Sequence, residues 1–191
     1  QNVIKRYNNV LLEEISAFFY LKAFWKMFGR TEDVSFLPAT GCPNLPLLAN
    51  LMLGWGLSFS IVLDDDSHGR KVFKELKDSK VTEDAKLIKI SGCQGIEDLF
   101  SAPDFAKIVL GKPALKITKA NSEYMKEEEI SKVITARDFM IAVEGEKITE
   151  SDLSQDSKDK ISELLEKIAG TLMSNSAAVS GSSVSAETEG S

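Results

Sequence analysis

Two apolar segments of this chain run directly into acidic residues. The segment NVLL (9–12) is followed by Glu13 and Glu14, and the segment LSFSIVL (57–63) is followed by three aspartates (64–66). Both segments are short and aliphatic, which predicts strands buried inside a sheet. Strands of this kind belong to parallel sheets that are covered on both faces. The sequence therefore indicates an α/β fold with carboxylates at the ends of two strands.

The segments around these strands supply the rest of an α/β pattern. Strands are predicted at 9–12, 34–37, 57–63 and 86–90, and helices at 15–28, 44–53 and 69–77, with Asn44 as the cap of the second helix. Alternating strands and helices at this spacing predict a Rossmann-like parallel sheet of about four strands with flanking helices. The first helix is apolar on most sides, so it must be buried in the chain or covered by a partner, and it is a candidate assembly interface.

Beyond Gly95 the pattern changes to helices, predicted at 96–110, 127–143 and 152–172. The last of these has apolar residues at helical spacing, so we expect it to pack on the domain. From Ser174 onward the chain has little to bury, which predicts a disordered tail. The expected organisation is an α/β core (1–112), a helical part of the same domain (113–173) and a tail (174–191).

Composition narrows the class of protein. The chain has 191 residues, 43% of them hydrophobic, and a net charge of −6. This composition is typical of one soluble domain, and no apolar run reaches the roughly 18 residues of a membrane span. The acidic balance disfavours a free-standing nucleic-acid binder, so binding to DNA would need metal ions, a local basic patch or a partner. Cys42 and Cys93 form no paired motif, which favours a reduced, cytoplasmic setting, and a start at Gln1 suggests a piece of a longer protein.

Acids at two strand ends predict a shared site. Ligands bind open parallel sheets at the carboxyl ends of the strands, where Glu13 and the aspartates would converge. Crowded carboxylates repel one another unless a cation or proton lies between them, and oxygen ligands without His or Cys suit Mg²⁺ or Mn²⁺. Asp64 and Asp66 would point the same way in extended chain, and Gly69 would permit a tight turn. The alternative is a solvated acidic turn that caps the third helix.

These segments resemble the Toprim family. NNVLLEEISAFFYL is similar to its first motif, a strand followed by Glu-Gly-x-Ser-Asp, and SIVLDDDSHGRK is similar to its second, Asp-x-Asp-x-x-Gly. FLPATGCPNLPLL resembles the intervening strand and glycine turn. GIEDLFSAPDF and SKVITARDF resemble later segments of the overcoming-lysogenization-defect (OLD) nucleases. The resemblance spans residues 9–143.

The resemblance implies a metal-dependent DNA endonuclease or nickase of an antiphage type, a probable-class assignment that carries roles by position. Glu13 matches a metal ligand or general base, Asp64 and Asp66 match paired metal ligands, Glu97 and Asp98 match the acids of a second metal region, and Lys132 matches a lysine that stabilises phosphate charge. The cofactor would be Mg²⁺ or Mn²⁺. The implied partners are DNA, an ABC-type ATPase domain in the same protein or a partner chain, and further copies of the chain in a homo-oligomer. No GxxxxGK[ST] loop occurs in this sequence.

Two positions depart from the family motif. Glu14 stands where the motif has glycine, and Ala17 stands where it has an aspartate ligand. Alanine cannot coordinate a metal, which leaves a second interpretation open: a catalytically degenerate Toprim domain that acts as a structural or interaction module. A third is a receiver-like phosphoacceptor domain, which also places acids at strand ends.

Overall fold

The computed structural model describes residues 4–39, 41–78, 85–90 and 92–180. It contains four strands, β1 (Asn9–Leu12), β2 (Ser35–Pro38), β3 (Phe59–Asp64) and β4 (Ala85–Ile90). Its helices are α1 (Ile15–Met27), α2 (Leu45–Gly54), α3 (Ser67–Asp78), α4 (Ala102–Asp104), α5 (Asn121–Glu127), α6 (Lys132–Glu144) and α7 (Gln155–Ser180). A 3-10 turn at Ile96–Leu99 follows β4.

The four strands form one parallel sheet in the order β2-β1-β3-β4. The predicted α/β fold with a parallel sheet is therefore confirmed. In the register of the sheet, Leu12 lies opposite Val62, and Asp64 lies opposite Ile90. Because β1, β3 and β4 are consecutive neighbours, the residues that follow all three strands meet at one edge of the sheet.

Alternate residues of the strands enter two separate cores. Val10, Leu12 and Val62 belong to the larger core, with α1, α6 and α7. Leu11 and Ile61 point to the other face, where α2 and α3 cover them. Burial on both faces is what the nearly continuous apolar strands required.

Helix α1 is buried by its own chain. Residues Tyr20 and Phe24 are fully buried and pack against Phe100 and Phe139, with ring centroids 5.3–6.0 Å apart. The apolar helix is thus covered by α6 and the turn after β4. The expectation that α1 could serve as an assembly interface is corrected accordingly.

The predicted helix at 96–110 is wrong as a single element. The chain is extended at Phe100 and Ser101, and a new short helix begins at Ala102 and continues as a π-helical turn over Phe105–Val109. Pro103 explains the interruption, because proline lacks an N–H and fits only the first turn of a helix. The Ser101 hydroxyl accepts a hydrogen bond from the Asp104 N–H and caps this new helix.

Three other helix bounds differ from the predictions. The sequence at 127–143 divides, so that Glu127 ends α5, which was not predicted, and α6 begins at Lys132 after the cap Ser131. Helix α7 continues to Ser180, past the predicted start of the tail at Ser174, and the rest of that tail (181–191) lies outside the described residues. Asn44 occupies the N-cap position of α2, but its side chain does not make the capping hydrogen bond.

None of the helices described, over residues 4–180 with their gaps, has the length and apolar character needed to span a bilayer.

Candidate functional site

Glu13 and Asp64 lie at the ends of adjacent strands. Glu13 follows β1 and is 9% exposed, and Asp64 is the last residue of β3. Burial raises the pKa of Asp64 well above its usual range, and the negative charges of Glu13, Glu97 and Glu14 raise it further, while Lys132 opposes them. The structure thus brings Glu13, Asp64, Glu97 and Lys132 within electrostatic reach of one another.

Glu97 reaches this edge from the 3-10 turn that follows β4. Its side chain is fully buried, and Oε1 lies 3.3 Å from Nζ of Lys132, the first residue of α6. Burial raises the pKa of Glu97, and the Lys132 charge opposes that rise. Burial lowers the pKa of Lys132, but the charges of Glu97, Glu14 and Asp64 outweigh it, so the pKa is raised and the lysine stays charged.

Gly95 gives the Glu97 carboxylate its room. A Cβ at Gly95 would lie 2.3 Å from Oε2 of Glu97 and 3.1 Å from Nζ of Lys132. Any larger residue would displace the carboxylate, so the ion pair between Glu97 and Lys132 depends on this glycine.

The turn after β3 has a glycine of the same kind. A Cβ at Gly69 would lie 2.1 Å from the backbone oxygen of Asp64, so only glycine lets α3 start this close to the strand end. This agrees with the tight turn predicted there. The Gly69 N–H donates a 2.6 Å hydrogen bond to Oδ1 of Asp66. The predicted capping alternative therefore describes one oxygen of Asp66.

Asp98 stabilises the turn itself. Its Oδ1 accepts a hydrogen bond from the Ser122 N–H at 2.8 Å, and its Oδ2 accepts one from the Ser122 hydroxyl at 2.7 Å and one from the Gln94 N–H at 3.0 Å. Both oxygens thus tie the turn after β4 to the first residues of α5. Among the predicted site residues, Asp98 is the one whose carboxylate is occupied by structural donors on both oxygens.

The two motif departures lie at the start of α1. Ala17 is buried in the larger core, and Glu14 occupies the N-cap position of the helix. The Ser16 hydroxyl donates to Oε2 of Glu14 at 3.2 Å, and the charge of Glu14 acts on both Asp64 and Lys132. Glu14 therefore adds an acid to the site that the family motif does not foresee, and its signal in the sequence was the glutamate pair after β1.

An open groove of about 500 Å³ borders the site. It is lined by Asp66, Gln94, Ser122, Glu123, Lys126, Ile130 and Lys132. Asp66 and Lys132 thus face the same solvent-filled space, and Lys126 adds a second cation. Such a groove can receive an anionic group beside the buried acids.

The donor set was tested for a fit to Mg²⁺ or Mn²⁺. Glu13, Asp64 and Glu97 supply only carboxylate oxygens, and the raised pKa of Asp64 reports their mutual repulsion, which a divalent cation would relieve. Within the described ranges, however, no group of three or more His, Cys, Asp or Glu side chains is arranged to hold a metal ion. The chemistry of the donors fits a hard cation, and a complete coordination sphere would require the side chains to move.

The fold and the site define a parallel α/β domain with an acidic and lysine-bearing site at the carboxyl edge of its sheet. Among solved structures, the chain is similar to the C-terminal region of the Burkholderia pseudomallei OLD protein, with a TM-score of 0.51 and 12% sequence identity. The similarity covers 87% of this chain and 100% of that one. This likeness confirms the predicted resemblance at the level of the fold. No family model and no curated protein matches the sequence.

Proposed function

We propose that this domain cleaves DNA phosphodiester bonds with the help of Mg²⁺ or Mn²⁺, as the Toprim part of an OLD-like nuclease. The observation that carries the proposal is the convergence of Glu13, Asp64 and Glu97 with Lys132 at one edge of the sheet. Electrostatic stabilisation of a phosphoryl group requires positive charge beside ligands for a metal. A fold shared with the C-terminal region of an OLD protein supports the same class.

The side chains have distinct roles in this proposal. Glu13 and Asp64 would hold a cation, with Asp66 and Glu97 as further ligands, and the bound ion would supply positive charge to the attacking and leaving oxygens. Lys132 keeps its proton and borders the groove, so it can neutralise a non-bridging phosphate oxygen. Glu14 offers a carboxylate in the region where the motif aspartate is replaced by Ala17.

The partners are proposals of the same kind. An ATPase domain, in this protein or in another chain, would load the DNA, and the domain would act in a homo-oligomer. Leu47, Leu51 and Trp55 form an exposed apolar stripe on α2, at 63%, 43% and 61% exposure, and this is the surface where we would first look for association.

A degenerate domain with a structural role is the second candidate. Two observations favour it: Ala17 replaces a ligand, and the described residues hold no ready-made group of three metal ligands. Binding of Mn²⁺, followed by its electron paramagnetic resonance spectrum, separates the two candidates. Saturable binding that disappears in Asp64→Asn supports the nuclease, and no binding supports the structural role. The receiver-like alternative is disfavoured because β4 is followed, in the described residues, by helices and not by a fifth strand.

The decisive experiment is a plasmid-nicking assay with Mg²⁺, with Mn²⁺ and with a chelator. We expect Asp64→Asn and Glu13→Gln to reduce the rate by about 100-fold or more, as the loss of a reacting or ligating group does. The matched control is Asp65→Asn, because Asp65 belongs to the same acidic turn but contacts Arg70. Equal rates in all three variants would refute the proposal.

A further inference from the structure

Three buried polar atoms surround the 3-10 turn after β4 and have no hydrogen-bond partner among the described residues. They are the hydroxyl of Tyr20 on α1, Oε2 of Glu97 on the turn, and Oδ1 of Asn121 on α5. Buried polar groups are normally paired, because leaving one unpaired costs free energy. Three such atoms from three elements mark this turn as a polar centre inside an otherwise apolar core.

Aromatic packing holds Tyr20 against this turn. Its ring centroid lies 5.8 Å from that of Phe100 and 5.6 Å from that of Phe139, and the residue is fully buried. Phe100 belongs to the same turn as Glu97, since its N–H donates to the Glu97 carbonyl at 3.3 Å. The negative charge of Glu97 acts on Tyr20 and adds to the effect of burial in raising the pKa of the phenol, so the hydroxyl keeps its proton.

The donors and acceptors around the turn are complementary. The Nδ2 amide of Asn121 donates to the carbonyls of Glu97 and Phe100, at 2.9 and 2.8 Å, which fixes its Oδ1 as an acceptor. Glu97 offers a second acceptor in Oε2, whereas Tyr20 offers a donor. A charged acceptor makes the stronger hydrogen bond, and the other Glu97 oxygen is already paired with Lys132.

We propose that Tyr20 is a positioning residue for Glu97, with its hydroxyl donating a hydrogen bond toward Oε2 while Lys132 holds Oε1. Glu97 is then held from two sides, from the core and from the groove. If Lys132 turns toward a phosphate in the groove, the hydroxyl keeps the carboxylate oriented. The importance of this contact for cleavage rests on the proposed function, whereas the contact itself can be tested without any activity.

A double-mutant cycle tests the contact. Tyr20→Phe removes one oxygen atom, and Glu97→Met removes both acceptors at similar length. We expect Tyr20→Phe to lower the urea midpoint of the wild-type chain and to leave the midpoint of Glu97→Met unchanged or higher. The control Tyr124→Phe, on the other face of the turn, should behave identically in both backgrounds. An equal effect of Tyr20→Phe in the two backgrounds, or a raised midpoint in the wild type, would overturn the proposal.

A spectroscopic measurement keeps the proposal testable if Glu97→Met does not fold. The chain has three tyrosines, so the difference between the Raman spectra of the wild type and Tyr20→Phe isolates Tyr20. An intensity ratio of the tyrosine doublet that indicates a strong hydrogen-bond donor supports the contact, and the ratio of an unbonded phenol rejects it.

Kinetics then connect the contact to function. If the chain cleaves DNA, Tyr20→Phe should lower kcat by roughly 10-fold, as loss of a supporting hydrogen bond behind a site carboxylate does, with KM unchanged. A coupled cycle with no cleavage in the wild type would reject the proposed function alone. Cleavage without coupling would reject the role of Tyr20 alone.

Discussion

Two buried aspartates show how differently this molecule treats the same side chain. Asp104, at the end of α4, accepts hydrogen bonds on Oδ2 from the Ser154 N–H at 2.9 Å and from the hydroxyls of Ser154 and Ser157. Burial alone would raise its pKa, but these donors outweigh burial and lower it. Asp104 thus anchors the start of α7 to the rest of the domain.

Asp64 has the opposite surroundings. Its pKa is raised by burial and by three neighbouring glutamates, with one lysine opposing them. A carboxylate used for structure is surrounded by donors, whereas the carboxylates at the edge of the sheet are surrounded by other carboxylates. Like charges are held together at a cost in stability where a site needs them for chemistry.

The largest effect is expected where the donors converge. Asp104→Ala should lower the free energy of unfolding by about 3 kcal/mol, because three donors lose a charged acceptor and two of them are in the buried start of α7. Urea denaturation at pH 7 measures this change. Asp159→Ala is the control, since Asp159 is exposed and accepts only from Gln155. A loss below about 1 kcal/mol would remove the contrast between the two aspartates.

The site aspartate should respond with the opposite sign. Asp64→Asn removes one charge from the acidic cluster and keeps the shape of the side chain, so the variant should be more stable at pH 7 by about 1–2 kcal/mol. The same denaturation experiment, without divalent cations, measures the gain. Asp65→Asn should change stability little. A destabilised Asp64→Asn would mean that the carboxylate has partners that outweigh its repulsive neighbours.

The pH dependence sharpens the comparison. The lowered pKa of Asp104 means that its stabilisation is present above the ordinary value of 3.8 and is lost as pH falls through the lowered pKa. The raised pKa of Asp64 means that its folded form is favoured below 3.8 and that this advantage is lost as pH rises through the raised value. The gain from Asp64→Asn should therefore grow with pH, while the deficit of Asp104→Ala should shrink only under acid conditions. Denaturation curves between pH 3 and pH 8, on the order of that range, would show two slopes of opposite sign, and parallel slopes would contradict it.

The sequence predicted the acidic side of this comparison and not the structural side. The strands β1 and β3 and their acids are adjacent features of the chain, so apolar runs followed by carboxylates were enough to predict that Glu13 and Asp64 meet. The pairing of Glu97 with Lys132 joins residues far apart in the chain and was anticipated only through the family resemblance. Nothing in the sequence marked Tyr20 as more than a core aromatic residue, or Asp104 as the anchor of α7. Pro103 did carry a signal for the break in the predicted helix at 96–110.

The smallest expected change in stability is at Gly95, and it separates the site from the fold. In Gly95→Ala the new Cβ would meet the Glu97 carboxylate, which is the mobile end of a side chain, so the expected cost is only about 1 kcal/mol. The displaced carboxylate would leave Lys132, and we expect cleavage to fall by about 10-fold or more, a larger loss than the stability change explains. Gly54→Ala is the control, because nothing lies within 4 Å of a Cβ at that position. If Gly95→Ala keeps full activity, the ion pair between Glu97 and Lys132 belongs with the structural carboxylates, as Asp104 does, and the line between the two kinds of site moves to β1 and β3 alone.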